Sequence, residues 1–461
     1  MIQHATHQGS EVNAMKADNK TPFLDISPYV RTPADLQGPL NGDIRTDVAI
    51  IGGGYSGLST ALALKKSGVS AVIIEREFCG FGASGRNAGH LTPTICKDLP
   101  TAVMLFGKEK AAELVRFADH CVETTESLIS EYSIDCDYNK SGNIMAVVHP
   151  KQEARLRKAV TTAESLGAKI RFVEGSEMRE RGIPRAFLSG AMEILGGTLH
   201  PGNYVAGLRQ AAINAGIPVY EQTAVTEISK DRQPKVFTER GIVSADKIVM
   251  ATNAFTPDIG KPGHRIVPLY VTLFETEPLS DEQLDAIGGW TGREGIYTAH
   301  ESMESYRLTA QRTIIGGSKG VKYFFGGKVG HHGGAQDASS NAVISAFRDR
   351  FPQLKALPIA HNWAGWIGMT MNFLPLVGQL PGRASIHYTA GYNGHGMAQA
   401  SAMGTIMSDI ILERGNPWLD TIVRKPAYVP PEPFRWLAIK SLLGVVNGID
   451  RLTDMKLRDK S

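Results

Sequence analysis

Three glycines spaced Gly52-x-Gly54-x-x-Gly57 constrain this chain more than any other feature. Before them stands VAII (48–51), a β-branched run too short for a helix. After them Leu58, Ala61, Leu62 and Leu64 recur at helical spacing, and VII (72–74) is a second β-branched run ending on Glu75. The order is strand, glycine turn, helix, strand, acid. Gly52 suits a tight turn, Gly54 lets backbone approach a pyrophosphate, and Gly57 lets the helix pack against the strand. Phosphates then sit on the helix N-terminus, beside Tyr55 and Ser56, where unpaired N–H groups and the helix dipole favour negative charge. Glu75 lies about 20 residues on, where its carboxylate can accept from a ribose, with Arg76 next to it. The unit predicts a dinucleotide site.

A chain of 461 residues has room for two domains. Its net charge of +3 is small for that length and gives no reason to invoke nucleic acid. The four cysteines form no CxxC pair, so neither a zinc ligand set nor a dithiol motif is indicated. Sparse cysteine fits a reducing cytoplasm. The polar first 20 residues read as disordered and carry no secretory signal, and no run is long and apolar enough to span a membrane.

Past the first unit, four glycines crowd residues 80–89, which reads as backbone pressed against a large planar ligand. The stretch 101–132 reads as one helix with a solvated charged face, and 151–166 as an amphipathic helix ended by Gly167. Residues 196–254 read as a helix and several strands that close on Ala251-Thr252-Asn253. The run 265–317 is β-rich. His331 and His332 sit in a glycine-rich loop, read as a lid, with no further ligands at metal spacing. Near the end, Gly391, Gly394 and Gly396 again join a strand to a small-residue helix.

Residues 52–57, Glu75, the GASGRNAGH segment (82–90) and this late turn resemble the FAD-dependent D-amino-acid oxidase superfamily. Within it they are most similar to the branch of glycine oxidase, sarcosine oxidase and gamma-glutamylputrescine oxidase. The resemblance implies tightly bound FAD and oxidation of a carbon–nitrogen bond. It implies an α/β fold: a Rossmann-like FAD-binding domain of discontinuous segments (46–98, 196–260, 361–415) plus an α+β substrate domain with a large mixed or antiparallel sheet (99–195, 261–360). An N-terminal arm (1–45) and a C-terminal extension (416–461) flank them. It further implies FAD contacts at Ala83, Ser84, Arg86, Asn87, Gly89, His90 and Leu91, at Val225, Ala251 and Thr252, and at Gly391, Gly394, Gly396 and Met397. The third position of the strand-end motif is Asn253 instead of glycine, which a left-handed backbone tolerates.

The same resemblance makes Tyr270, Tyr306, Arg307 and Trp366 candidate substrate contacts, and His395 and Tyr392 candidate catalytic groups, with helix capping an equal role for His395. Relatives place a carboxylate-gripping arginine where this chain has Ile367, so either Arg307 takes the carboxylate or the reacting end carries none. Expected is hydride transfer from a small amine, amino acid or imino acid to flavin N5, the imine then hydrolysing, with electrons passing to O2. A dehydrogenase feeding a quinone, and a flavin-binding assembly subunit without catalysis, remain as alternatives. The amphipathic stretch after Pro433 is expected to dock on protein, with shallow membrane attachment as the alternative.

Overall fold

The computed structural model describes residues 21–259, 265–330, 335–423 and 428–458; the first 20 residues and the His331–His332 pair lie outside them. Two mixed sheets organise the chain, one of eight strands and one of nine. In the first, Ile44–Ile51 lies between Ile242–Met250 and Ala71–Ile74, parallel to both, and Arg383–Ala390 extends Ile242–Met250 in parallel. These strands are apolar on both faces because both are covered, one by helices and the other by Leu40, Val236 and Leu380 of neighbouring strands and the N-terminal arm. Val48, Ile50 and Ile73 pack under Leu58 and Leu62 of the Tyr55–Lys66 helix, while Ala49, Ile51 and Ile248 fill the opposite side. The register aligns the strand ends: Ile51 stands opposite both Ile74 and Met250, and Met250 opposite Tyr388. The Gly52 turn, Glu75, Ala251 and Gly391 therefore leave the sheet together at its carboxyl edge, where open α/β sheets bind ligands.

The nine-stranded sheet carries the β-rich run and contains Ile359–Met369, paired antiparallel along Val267–Thr276. The WAGWIG segment of the expected 361–415 piece thus lies in the nine-stranded sheet, and Leu376–Leu380 rejoins the eight-stranded one. The expected 101–132 helix is two, Leu99–Phe106 and Lys108–Glu131, divided at Gly107 (φ 83°). The second packs its Leu114, Phe117 and Cys121 into the cofactor domain's core, so it too crosses the expected boundary. The N-terminal arm adds Phe23–Leu24 to the edge beside Asn362 and Trp363. All four cysteines are buried and unpaired.

The C-terminal helix, Phe434–Arg458, docks through Trp436, Ile439 and Leu443. Its far end is clamped by Asp450, whose carboxylate accepts from the Glu301 and Ser302 N–H groups, and by Asp454, paired with Arg350 and Lys319. His300, Glu304 and Asp454 cluster within 4.8 Å, but Lys319 and Arg350 already take up both carboxylates. Among the described residues no helix is long and apolar enough to cross a membrane.

Candidate active site

The glycine turn has no room for side chains. Gly52 holds φ 109°, and a Cβ there would come 2.7 Å from the Ala251 carbonyl oxygen; at Gly57 it would come 1.9 Å from the Gly52 carbonyl oxygen. The first turn of the Tyr55–Lys66 helix carries no acid, and Gly54 at its N-cap offers no side chain, which leaves that end suited to an anion. Ser84 is folded over it: its Oγ accepts from Tyr55 N at 3.0 Å. Glu75 is turned into the same turn, accepting from Gly53 N at 2.7 Å and Glu77 N at 3.0 Å, and burial raises its pKa despite both bonds. Thr223 N donates to the Glu75 carbonyl, which brings the Val225 strand beside the acid, and Arg76 lies over the Phe255 ring.

The loop from Gly82 to Leu91 is pinned to both domains. Asn87 donates to the Ser84 and Ala83 carbonyls and to the Tyr55 hydroxyl, and its Oδ1 accepts from Gly89 N. Arg86 donates to the Phe81, Asp25 and Ala364 carbonyls. Trp363 Nε1 donates to the Arg86 carbonyl, and Leu199 N to that of Gly89. Arg307 Nε donates to the Ala88 carbonyl at 2.8 Å. Across the edge, Asn253 adopts φ 42°, so the left-handed turn is kept, and its Oδ1 accepts from Gly391 N at 2.9 Å. The side chain that replaced glycine thus ties the Ala251-Thr252 strand end to the late turn, which Gly391 (φ 74°) and Gly394 (φ 85°) shape before the Gly396–Ile411 helix with its buried Met397. Ile367 Cδ1 lies against Gly394, so an apolar group occupies the place expected of an anion-binding arginine.

Of the four candidate substrate contacts, two share a cavity. Tyr270 and Trp366, T-shaped at 5.2 Å, line a recess of about 260 Å³ with Arg76, Ala83, Arg86 and Phe255. Tyr306 does not reach it. Alternation along Ser305–Leu308 turns it into the core against Phe187 and Phe351, its hydroxyl on Glu304. Arg307 faces the loop but is 1% exposed, its Nε on the Ala88 carbonyl and its guanidinium over the Tyr29 ring, so it braces the loop. Tyr392 is also corrected. It is a core residue whose hydroxyl bonds Thr389 Oγ1 at 2.6 Å, and burial pushes its pKa up to about 12. His395 makes no side-chain cap bond; its Nδ1 is buried without a partner, and burial lowers its pKa to about 4.

Sequence reasoning missed a second group of residues. His90 Nδ1 lies 3.0 Å from Asn143 Oδ1, and burial lowers its pKa to about 4. Glu193, on Ser189–Glu193, accepts from the Tyr297 hydroxyl and from Thr94 Oγ1, and burial raises its pKa to about 7. Thr94 also accepts from Gln399 Nε2 at 3.0 Å. The signal available was alternation, which puts an acid on the Ala191 face of an otherwise apolar strand. His90 Nε2, His395 Nδ1 and Gln399 Oε1 are buried with no hydrogen-bond partner. Such orphans are uncommon in a complete structure. The glycine cradle at the helix N-terminus, with no acid in its first turn, fits the phosphates of a large polar cofactor.

The model of the FAD-dependent oxidoreductases known as DAO matches residues 47–410, which takes in the glycine turn, the 82–91 loop, Asn253 and the late turn. The chain belongs to this family. Gamma-glutamylputrescine oxidoreductase of Escherichia coli K12 is 29% identical over 391 residues, spanning 84% of this chain and 88% of that protein. Glycine oxidase from Geobacillus kaustophilus superposes with a TM-score of 0.66 at 18% identity, over 83% of this chain and 99% of its own. L-proline dehydrogenase from P. horikoshii gives the same TM-score at 20% identity, over 81% and 94%. The two-sheet fold expected from the sequence is the fold of these structures.

Proposed function

We propose that this family member oxidises a C–N bond of a small amine whose reacting end carries no carboxylate, passing the electrons to O2. The observation that carries the reading is Ile367 packed on Gly394 at the late turn, with Arg307 committed to the Ala88 carbonyl. Ile367 cannot grip an anion, and Arg307 is buried with its Nε already committed. When bound, FAD supplies the hydride acceptor and the redox chemistry. The residues that would hold it are the Gly52–Gly57 turn and Glu75 at the adenosine and pyrophosphate end, the 83–91 loop along its length, and Gly391–Met397 at the far end. The protein's own work is positioning. Ser84 and Asn87 fix the loop over the helix N-terminus. Trp363 and Arg307 hold its far half, and the apolar side chain of Ile367 keeps water from the reacting end. Gamma-glutamylputrescine oxidoreductase, named for an amine of this kind, supports the reading. Anaerobic mixing of the FAD-loaded protein with a panel of alkylamines tests it: bleaching of the flavin band is expected, and no bleaching by any amine overturns it.

A second reading of the acceptor rests on the C-terminal helix. Its outward face exposes Phe434, Leu437, Leu442, Val445, Ile449, Leu452 and Met455, while Asp450 and Asp454 are turned inward. Such a face suits a lipid surface, where a quinone is the acceptor at hand. Reduction of a soluble quinone outpacing oxygen uptake, with sedimentation on anionic vesicles, is its signature.

A further inference from the structure

We propose that Glu193, Gln399 and His90 form an acceptor-only subsite that binds the substrate through an ammonium group. The inference rests on the amine reading above and goes beyond it by naming the residues that select the substrate's charge. The orientation of Asn143 fixes the tautomer of His90. Asn143 Nδ2 donates to the Leu91 and Gly197 carbonyls at 2.9 and 3.2 Å, so the atom facing His90 Nδ1 is the amide oxygen. Nδ1 must then carry the hydrogen, and the buried, unpartnered Nε2 presents a lone pair. Gln399, 1% exposed, spends its amide NH2 on the Thr94 carbonyl and leaves its oxygen unpartnered. Glu193 accepts from Tyr297 and Thr94, and among the described residues no lysine, arginine or histidine lies within ion-pairing distance of it.

These residues form one connected group. Gln399 contacts Thr94, Thr94 contacts Glu193, Glu193 contacts Tyr297, and the Tyr297 ring stands 6.2 Å from His90 in a T-shaped pair. His90 Nε2 and Gln399 Oε1 are buried acceptors without a donor, and no cation stands beside Glu193; such a set is costly unless something brings N–H groups and positive charge to it. Each of the protein's own hydroxyls in the set, those of Thr94 and Tyr297, already donates to Glu193. A primary or secondary ammonium brings two or three donors and the missing positive charge. A carboxylate would meet acceptors and an acid, and a neutral alcohol would bring a single donor and no charge.

Butylamine, butanol and butyrate, which share one chain length, serve as probes of the FAD-loaded protein, with binding read from the flavin difference spectrum and by calorimetry. At pH 8 butylamine is expected to bind at least about tenfold tighter than butanol, the worth of one charge-assisted hydrogen bond, with butyrate not binding. Glu193→Gln should weaken butylamine about tenfold or more while leaving butanol and FAD affinity unchanged. Gln399→Leu, which keeps an apolar fill in the helix, should weaken butylamine by a smaller factor and serves should Glu193→Gln fail to fold. Equal butylamine binding by wild type and both variants, or preference for butyrate, overturns the inference. Failure of the reaction reading shows separately, as a flavin that no amine bleaches whether or not butylamine binds.

Discussion

Replacing Arg307 by methionine separates two roles for that residue. The change keeps an unbranched stem of similar reach and deletes the guanidinium, so no buried charge is stranded. What is lost is the bond from Nε to the Ala88 carbonyl at 2.8 Å and the longer one to the Tyr29 hydroxyl at 3.4 Å. Hydrogen bonds from charged donors contribute about 1.5–3 kcal/mol, and a buried carbonyl left without a partner costs a similar amount. Residue 307 is 1% exposed, so no water replaces the lost donor. Taking about 2 kcal/mol as the cost of re-ordering the 86–90 loop when FAD binds, the dissociation constant for FAD should rise about thirtyfold. Titration of apoprotein with FAD, followed by quenching of flavin fluorescence, reads this directly. The KM for amine, measured at saturating FAD, should change less than threefold on the same argument. An unchanged FAD affinity with a KM raised tenfold or more would refute it and restore Arg307 as a direct substrate contact.

Gly57→Ala puts a Cβ 1.9 Å from the Gly52 carbonyl, so helix and strand must part; FAD affinity should fall at least about a hundredfold in the same titration, with the apoprotein still folded at a cost of about 1–3 kcal/mol. Glu193 carries a pKa raised from 4.5 to about 7, so its neutral form is favoured in the folded state and its destabilising share grows as pH rises from 4.5 to 7. Apoprotein Glu193→Gln should therefore be more stable than wild type by up to about 3 kcal/mol at pH 8, with the difference shrinking towards pH 5 in urea melts; an equal difference at both pH values contradicts this. Ile367→Arg introduces a guanidinium beside Gly394 and should raise kcat/KM for amino acids relative to the matching alkylamines at least about tenfold, measured as oxygen uptake.

The cofactor half of this fold was readable because its signals are local. Glycine spacing, β-branched runs and a helical repeat specify the 46–75 unit within thirty residues, and the left-handed turn at Asn253 follows from residue type alone. The floor of the site was less legible for a geometric reason. Alternation says that Tyr306 and Arg307 face opposite ways, but which face is inward depends on the Tyr297 and Ile315 strands on either side and on the helix layer against Phe351. The WAGWIG stretch looked like cofactor domain because it precedes the late glycine turn, yet it hydrogen-bonds along Val267–Thr276, a partner some hundred residues away. Tyr392 has the type and position of a catalytic residue, and only packing of the Gly396–Ile411 helix on the Tyr55–Lys66 helix shows that it is core. Glu193 and Gln399, 206 positions apart, meet through Thr94 alone, a contact that no motif encodes.

The most direct test compares butylamine with 2-aminopentanoate, which adds an α-carboxylate to the same carbon chain, as anaerobic reductants of the FAD-loaded protein in a stopped-flow spectrometer. The account predicts flavin bleaching by butylamine at least about tenfold faster than by either enantiomer of the amino acid, because Ile367 offers the carboxylate no partner, Arg307 is buried with its Nε on the Ala88 carbonyl, and Glu193 repels it. Faster bleaching by one enantiomer of 2-aminopentanoate would show a carboxylate grip elsewhere in the site and contradict the account.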